Sequence, residues 1–326
     1  MNSWGNIFRV SIWGESHGQQ VGVCIDGVPA GIELCEEDFK ADLDRRRAGA
    51  TGTTPRKESD LPHVVSGLFN GHTTGSPLTI EFLNENTRSS DYSSLEKHPR
   101  PSHADLVAKQ KWEGYNDPRG GGHFSGRITL GLVAAGVVAK KILGEKVAFS
   151  TNIIEIGGCR DAQNFDHIIA QAAKDQDSVG GVIECRINGI ETSLGEPFFD
   201  SVESTAAHLL FSIPAVKGVE FGAGFEAARM RGSEHNDMII DADGHTKTNH
   251  AGGIVGGITN GNEIVVRAAI KPTASISKQQ MSYNFESHAI EPLSIKGRHD
   301  ACIALRAAVV VESAMAIALA DLKLRS

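Results

Sequence analysis

The chain has 326 residues, of which 40% are hydrophobic, so it can bury a sizeable core without the help of disulfides. Its formal net charge of −8 argues against general binding to nucleic acid or to a membrane surface, because both of those partners are polyanions. The longest apolar run, from Leu130 to Ala139, is too short to span a bilayer, and the N-terminus lacks the pattern of a secretory signal, so we expect a cytoplasmic protein with no membrane partner.

Short β-like runs and helical patterns follow one another along the chain without regular alternation. Runs rich in Val, Ile and Phe predict strands at Ile7–Ile12, Val21–Ile25, Leu78–Leu83, Val147–Ile156, Gly181–Ile187, Val216–Phe221 and Ile264–Ile270. Helical patterns are strongest at Glu36–Arg47, Ile128–Leu143, Val202–Phe211 and Cys302–Leu322. A doubly wound sheet would need regular alternation, so the pattern predicts α+β layers instead. Because no Pro-rich or Ser-rich linker divides the chain, we expect a single domain over residues 1–326.

Two histidines lie in short turns where a side chain can take part in proton transfer. His17 follows an apolar strand between Ser16 and Gly18, so a tight turn could expose its imidazole at a sheet edge. His103 follows a proline turn and precedes Asp105, which could orient its ring. Imidazole is the side chain that titrates nearest neutral pH, although either residue could equally be a structural histidine with satisfied hydrogen bonds. Beside many arginines, the two histidines indicate proton transfer on an anion.

A run of three arginines, Arg45 to Arg47, ends the helix predicted at Glu36–Arg47. Its position leaves two interpretations open. The side chains could bind an anion, or they could lie in solvent and interact favourably with the C-terminal end of the helix dipole.

Two polar segments predict sites for phosphate groups. The segment PRGGGHFSGRITLG from Pro118 joins a glycine-rich turn to a helix, an arrangement that presents free N–H groups to phosphate, with Arg119 and Arg127 as charge partners. The segment KPTAS from Lys271 follows a strand and offers a cation and hydroxyl groups. The alternative for each is an ordinary polar turn.

A possible dinucleotide-binding fingerprint lies at residues 218–230. Gly222 and Gly224 follow a strand in a GxGxxA pattern, and Asp241 lies about 20 residues further on, as in NAD-dependent dehydrogenases. The helix after these glycines would have to end near Arg231, where the polar run SEHND begins. That leaves too few residues for a crossover to a parallel strand, which needs roughly a dozen. We therefore rank a dehydrogenase below the interpretation that follows.

Motifs from one end of the chain to the other resemble those of the chorismate synthase family. GESHG at 14–18, RPSHAD at 100–105 and GRHD at 297–300 occur in family order, together with DLDRRR, TPRKE, GHTTGSPL, RGGGHFSGR, LGEPFFDS, NHAGGIVGGITNG and KPTAS. GAGFEAARMRGS is itself a segment of this family, which weakens the argument for a dinucleotide loop.

The resemblance implies a lyase. Members of this family convert 5-enolpyruvylshikimate 3-phosphate to chorismate by a 1,4-elimination of phosphate, the last common step of the shikimate pathway to aromatic amino acids. They require reduced FMN although the reaction has no net redox change, and NADP is the nucleotide associated with that requirement. The family fold is a β-α-β sandwich, with helices packed between antiparallel sheets, and the usual assembly is a homotetramer. An external flavin reductant would be needed, and a non-enzymatic flavin-binding protein remains the alternative.

Roles for individual residues follow from their positions in the family motifs. His17 should protonate or polarise the reduced flavin, His103 should assist departure of the phosphate, and Asp300 should help flavin N5 accept the substrate proton. The substrate carries two carboxylates and a phosphate of about −2, which calls for several arginines. The expected substrate contacts are Arg46 and Arg298, with Arg45, Arg47 and Arg100 as neighbours. The expected flavin contacts are His123, Phe124, Ser125, Pro214, Ala215, Gly256, Lys271, Pro272, Thr273, Ala274, Ser275 and Arg298.

The chain departs from the commoner family pattern at a few positions. His123 and Phe124 replace Arg and Ser in the loop that usually reads GGGRSSAR, so a permanent charge near the flavin is lost. Ser102 replaces a glycine in RPSHAD, and RRRAGA stands where RRRPGQ-like sequence is usual. Gly52 lies near the place of a further arginine that many members carry.

Overall fold

The computed structural model describes residues 1–47, 53, 58–85, 95–295 and 299–326. Its helices are α1 Lys40–Arg46, α2 Asp105–Lys111, α3 Thr129–Leu143, α4 Phe165–Lys174, α5 Val202–Ser212, α6 Gly232–His235 and α7 Ala304–Arg325. Short 3-10 turns include Glu36–Phe39, Arg119–Phe124 and Gly126–Ile128. No helix within these described ranges is long and apolar enough to cross a membrane.

Two larger antiparallel sheets contain most of the strands. The first has five strands in the order β1-β2-β3-β7-β4, which are Ser3–Trp4, Arg9–Gly14, Gln20–Asp26, Leu78–Leu83 and His63–Ser66. The second has four strands in the order β10-β13-β9-β8, which are Val216–Phe221, Ile264–Ile270, Gly181–Asn188 and Ala148–Ile156. Three hairpins complete the set: β5 Leu68–Phe69 with β6 His72–Thr73, β11 Ile254–Val255 with β12 Ile258–Thr259, and β14 Gln280–Asn284 with β15 Ala289–Leu293.

Helices α3 and α7 are apolar on nearly every side, and this explains their place in the core. They pack against each other, α3 contacts strands β2, β3 and β7 of the first sheet, and α7 contacts β8, β9 and β13 of the second. Glycine allows the two helices to approach closely, because a Cβ on Gly136 of α3 would lie 2.4 Å from the Cβ of Ser313 on α7. The prediction of an α+β fold rather than a doubly wound parallel sheet is confirmed.

The dinucleotide-binding interpretation is wrong. Strand β10, which precedes Gly222, pairs antiparallel with β13 rather than forming part of a parallel sheet. After the strand the chain enters a 3-10 turn, Gly224–Arg229, instead of the α-helix that a pyrophosphate-binding turn requires.

A buried ion cluster joins α1, α3 and α7 around Glu312. This carboxylate is 3% exposed and accepts hydrogen bonds from Arg45 Nη1 at 2.7 Å, Arg45 Nη2 at 2.8 Å and Lys140 Nζ at 2.5 Å. Burial alone would raise the pKa of Glu312, but the hydrogen bonds and charges of Arg45 and Lys140 outweigh it and lower the pKa to about 2. Glu312 is therefore ionised in the folded protein at neutral pH.

We expect Glu312→Gln to destabilise the fold at neutral pH by about 1.5–3 kcal/mol, because Arg45 and Lys140, which are 40% and 23% exposed, lose charge-assisted hydrogen bonds to a buried carboxylate. A carboxyl with a depressed pKa stabilises the fold above its unfolded value of about 4.3, and that contribution is lost as the pH falls towards the folded value. The difference in the free energy of urea unfolding between wild type and variant should therefore be largest at neutral pH. It should decrease as the pH falls from about 4.3 towards 2. A difference that stays constant over this range would contradict the assignment.

Candidate functional site

A loop of three consecutive glycines passes between His17 and His103. Gly120, Gly121 and Gly122 have φ values of 60°, 83° and 52°, a backbone region that side chains other than glycine rarely adopt. A Cβ on Gly120 would lie 2.6 Å from His17 Nε2, and a Cβ on Gly121 would lie 3.5 Å from His103 Nε2. The glycines therefore leave room for both imidazoles, which come from distant parts of the sequence to the two sides of one loop.

His17 lies in the turn between β2 and β3 and is 8% exposed. The glycine loop covers it, and the loop is attached to this turn by a hydrogen bond from Ser16 N to Gly122 O at 3.1 Å. The expectation that the turn exposes this imidazole at a sheet edge is wrong, because the tertiary contact buries it.

His103 is held by the residue at the start of α2. Its Nδ1 lies 2.7 Å from Asp105 Oδ1, which confirms the prediction that this carboxylate orients the ring. Arg100 binds the same carboxylate through Nε at 2.8 Å and Nη2 at 2.6 Å. Burial opposes ionisation of Asp105, but hydrogen bonds from Arg100 and His103 keep its pKa well below the usual range.

The KPTAS segment after β13 adjoins this histidine. Lys271 N donates to Ala215 O at 2.9 Å, which joins the segment to the turn at Pro214 and Ala215. The Lys271 side chain donates to Ser102 O at 2.6 Å, and Arg100 Nη1 donates to Ser275 Oγ at 2.8 Å. The KPTAS segment and the Pro214–Ala215 turn, both predicted to bind the flavin, are thus in contact with each other. KPTAS also contacts Ser102 and Arg100, which lie close to His103 in the sequence.

This segment has features that suit an anionic ligand. The hydroxyl of Thr273 is buried and has no hydrogen-bond partner among the described residues. Burial, with the nearby charge of Lys217, lowers the pKa of Lys271. A buried donor without a partner and a cation beside another cation would both be stabilised by a phosphate group.

Arg46 is the buried member of the arginine run, with 2% of its surface exposed. Its Nε donates to Thr129 Oγ1 at 3.1 Å and its Nη2 donates to Gly126 O at 2.9 Å, while Asp60 lies 3.4 Å away. Burial, followed by the charge of Arg306, lowers the pKa of Arg46 to about 9. Two of these three contacts are to neutral oxygen atoms, so the charge of Arg46 is balanced mainly by Asp60.

Two further arginines contact these residues. Arg127 Nη1 donates to Asp60 Oδ1 at 2.8 Å, and Arg306 donates to Asp300 Oδ2 at 3.1 Å and to the backbone oxygen of Arg46 at 3.0 Å. Three guanidinium groups thus surround two carboxylates. The expectation that Arg127 pairs with a phosphate on the glycine turn is wrong, because its donors bind Asp60, Leu83 O and Asn84.

Some predicted site residues lie elsewhere. Arg45 pairs with Glu312 and Asp42 between the helices, and Arg47 pairs with Asp44. Gly256 lies in the β11–β12 hairpin, whose neighbouring Gly257 accepts a hydrogen bond from the start of α5. Arg298 and Gly52 lie outside the described residues.

The positions that depart from the family pattern have contacts of their own. His123 lies 3.2 Å from Gly14 O through Nδ1 and 3.0 Å from Asn2 Oδ1 through Nε2. Phe124 is 38% exposed and packs against Trp112 at a ring distance of 5.7 Å. Ser125 Oγ accepts from Arg127 N at 3.3 Å. His123 is therefore fixed by neutral oxygen atoms at the N-terminal strands.

Sequence reasoning missed Asp60 and Arg306. Their roles depend on contacts with residues far away in the chain, which spacing does not reveal. A signal existed for Arg306, because it is the first charged residue in a long apolar helix and must find a partner when that helix is buried.

Comparison with known proteins identifies the family to which these features belong. The sequence model of a family described as chorismate synthase matches residues 8–324. A chorismate synthase from Chitinophaga pinensis is 61% identical over 324 residues, covering 99% of this chain and 97% of that protein. One from Korarchaeum cryptofilum is 45% identical over 354 residues, covering 99% and 97%. A crystal structure of chorismate synthase matches with a TM-score of 0.76 at 26% identity and covers 99% of this chain and 93% of that one.

Proposed function

The chain belongs to the chorismate synthase family and is a carbon–oxygen lyase that acts on a phosphate ester, and we propose that it carries out its reaction with reduced FMN at the glycine loop. The reaction is the 1,4-elimination of phosphate from 5-enolpyruvylshikimate 3-phosphate, which gives chorismate. The observation that carries the proposal is the placement of His17 and His103 on the two sides of the Gly120–Gly122 loop.

The substrate's anionic groups would bind at the cluster in which three guanidinium groups surround two carboxylates. Two carboxylates and a phosphate of about −2 are a good match for the buried Arg46 and its neighbour Arg306. We assign Arg298 to the same role from its motif position. Arg45 and Arg47 are weaker candidates, since Arg45 points to Glu312 between the helices and Arg47 pairs with Asp44 of its own helix, away from the cluster of Arg46, Arg127 and Arg306.

The protein's own residues would manage the protons. With Nδ1 directed at Asp105, His103 leaves its Nε2 beside Gly121 to donate a proton to the departing phosphate. His17 would hold a proton against the flavin from the other side of the loop. Asp300, held by Arg306, would assist transfer of the substrate proton to flavin N5.

Reduced FMN, when bound, would supply electron density to the elimination without net oxidation. The residues present fit such a ligand: Thr273 offers a buried hydroxyl that lacks a partner, Lys271 offers a cation, and Ser275 offers a second hydroxyl. His123 and Phe124 would contact the flavin in place of the Arg and Ser that are usual there.

We expect the purified protein to bind FMN reversibly, and at least about fivefold more tightly when the phosphorylated substrate is present, because both ligands would occupy one enclosed, cation-rich site. Titration of flavin fluorescence with and without substrate measures this. Binding of NAD without binding of FMN would contradict the proposal.

Two structural features of the family are also proposed for this chain. The contacts of α3 with one sheet and of α7 with the other are those expected for a β-α-β sandwich, and an experimental structure would test the layering. Exposed aromatic side chains, among them Phe198 at 85% and Phe199 at 93%, support a homotetramer, and a monomeric mass in solution would contradict it.

We also propose how the flavin is reduced and where in the cell the protein is located. As the family resemblance implies, we expect an external flavin reductant, and reduction of FMN by NADPH with this protein alone would contradict that. All five cysteines are free thiols, which agrees with a reducing cytoplasm. Fractionation of cells tests the location.

A further inference from the structure

A continuous chain of hydrogen bonds joins His103 to the KPTAS segment through Asp105 and Arg100. Asp105 is 11% exposed in its side chain and Arg100 is 3% exposed, so both are largely shielded from water. Asp105 accepts from Arg100 N at 3.0 Å, from Arg100 Nε at 2.8 Å and from Arg100 Nη2 at 2.6 Å. The other terminal nitrogen of Arg100, Nη1, donates to Ser275 Oγ at 2.8 Å.

The contacts at His103 Nδ1 determine which nitrogen faces the reaction. Nδ1 lies 2.7 Å from Asp105 Oδ1 and 3.0 Å from Arg100 Nη2. A protonated Nδ1 donates to the carboxylate, whereas a bare Nδ1 can only accept from the guanidinium, so one nitrogen cannot make both bonds at once. The shorter, charge-assisted contact favours a proton on Nδ1. When the ring is an imidazolium, Nε2 also carries a proton and can donate it towards Gly121.

We propose that Asp105 is a positioning residue that holds His103 and Arg100 as one unit, and that Arg100 couples this unit through Ser275 to the flavin-binding segment. This inference rests on the proposed function. It differs from the family-based role of Arg100 as a substrate neighbour, because the side chain's hydrogen bonds to Asp105 and Ser275 join two parts of the protein. Movement of Ser275 on binding the flavin phosphate would then be transmitted to His103, and the reverse.

Several charged groups face His103, and the first test below changes only Asp105 among them. Arg100 and Asp105 contact the ring directly. The cleft beside it is also lined by Glu96, Lys109 and Asp117, and Lys271 binds the backbone of Ser102.

The first test replaces the carboxylate. We expect Asp105→Asn to lower the anaerobic single-turnover rate with reduced FMN about 10- to 100-fold, part of the 10²- to 10⁴-fold that a positioned acid contributes, with a much smaller change in substrate affinity. Asp105→Glu, which keeps the charge, should recover part of the rate. A wild-type rate for Asp105→Asn between about pH 6 and pH 9 would overturn the positioning role.

The second test addresses the coupling and does not depend on Asp105→Asn being able to fold. Ser275→Ala removes the hydroxyl that Arg100 binds, and Ser277→Ala removes a nearby hydroxyl that instead donates to Ile295 O at 3.1 Å. For each protein we compare the ratio of the FMN dissociation constants measured without and with substrate. A direct loss of flavin affinity changes both constants and cancels in this ratio. We expect Ser275→Ala to reduce this ratio about fivefold or more and Ser277→Ala to leave it unchanged. An equal ratio in wild type and Ser275→Ala would overturn the coupling, whereas a wild-type protein that does not turn over would instead overturn the proposed function.

Discussion

His103→Ala and His17→Ala should each fold normally and lose roughly 10²- to 10⁴-fold in single-turnover rate, the usual contribution of a positioned acid. Both imidazoles face the Gly120–Gly122 loop, and removing either leaves space there without breaking a strand or a core contact. The measurement is phosphate release under anaerobic conditions with saturating reduced FMN, so that weakened flavin binding does not lower the observed rate.

His123 provides the matched control, because it belongs to the same loop but bonds to Gly14 O and Asn2. A neutral substituent such as His123→Gln should raise the FMN concentration required more than it lowers the maximal rate. If both His17→Ala and His103→Ala keep near wild-type rates, their proton-donor roles are wrong and both are structural histidines.

Arg46→Ala should weaken substrate binding by about 2–5 kcal/mol, which is roughly a 30-fold or larger increase in Kd. The reason is that a largely desolvated anion would lose a charged partner that is itself 2% exposed. Arg46→Lys should restore binding only in part, since an ammonium cannot reproduce the forked contacts to Thr129 and Gly126. Equilibrium titration of the substrate against each variant measures the effect.

The neighbouring Arg47→Ala is the control for Arg46→Ala. Arg47 belongs to the same run, but its side chain pairs with Asp44, so the loss of substrate affinity should be much smaller than in Arg46→Ala. Thermal unfolding of Arg46→Ala separates a loss of binding from a loss of fold. Unchanged affinity in a folded Arg46→Ala would show that the cluster around Arg46 is structural. The same expectation for Arg298→Ala rests on its motif alone.

The sequence was most informative about the regular elements of the core. Strands at Leu78–Leu83, Val216–Phe221 and Ile264–Ile270 have the predicted bounds, because each begins and ends at an apolar residue and lies between turn residues. Helix α4 was not predicted, although Phe165, Ile168, Ile169 and Ala172 have the i, i+3, i+4, i+7 spacing of an amphipathic helix. The predicted helix Glu36–Arg47 begins as a 3-10 turn, a difference in hydrogen bonding that periodicity does not resolve.

The site was predictable in its residue types but not in its contacts. Motif positions indicated His17, His103 and the KPTAS segment, whereas their arrangement around one glycine loop depends on tertiary packing. Arg45 and Arg46 are adjacent in sequence, yet one points to Glu312 between the helices and the other to Gly126 near the loop. On a helix, neighbouring side chains face different directions, so a run of arginines cannot be assigned to one site from sequence alone.

Turnover with the proposed substrate tests the central claim most directly. The protein is incubated anaerobically with 5-enolpyruvylshikimate 3-phosphate and dithionite-reduced FMN, and chorismate, phosphate and the flavin redox state are followed together. The account predicts equal amounts of chorismate and phosphate over many turnovers, with the flavin still reduced at the end. Binding of both FMN and substrate without any release of phosphate would contradict it and would favour a non-enzymatic flavin-binding protein.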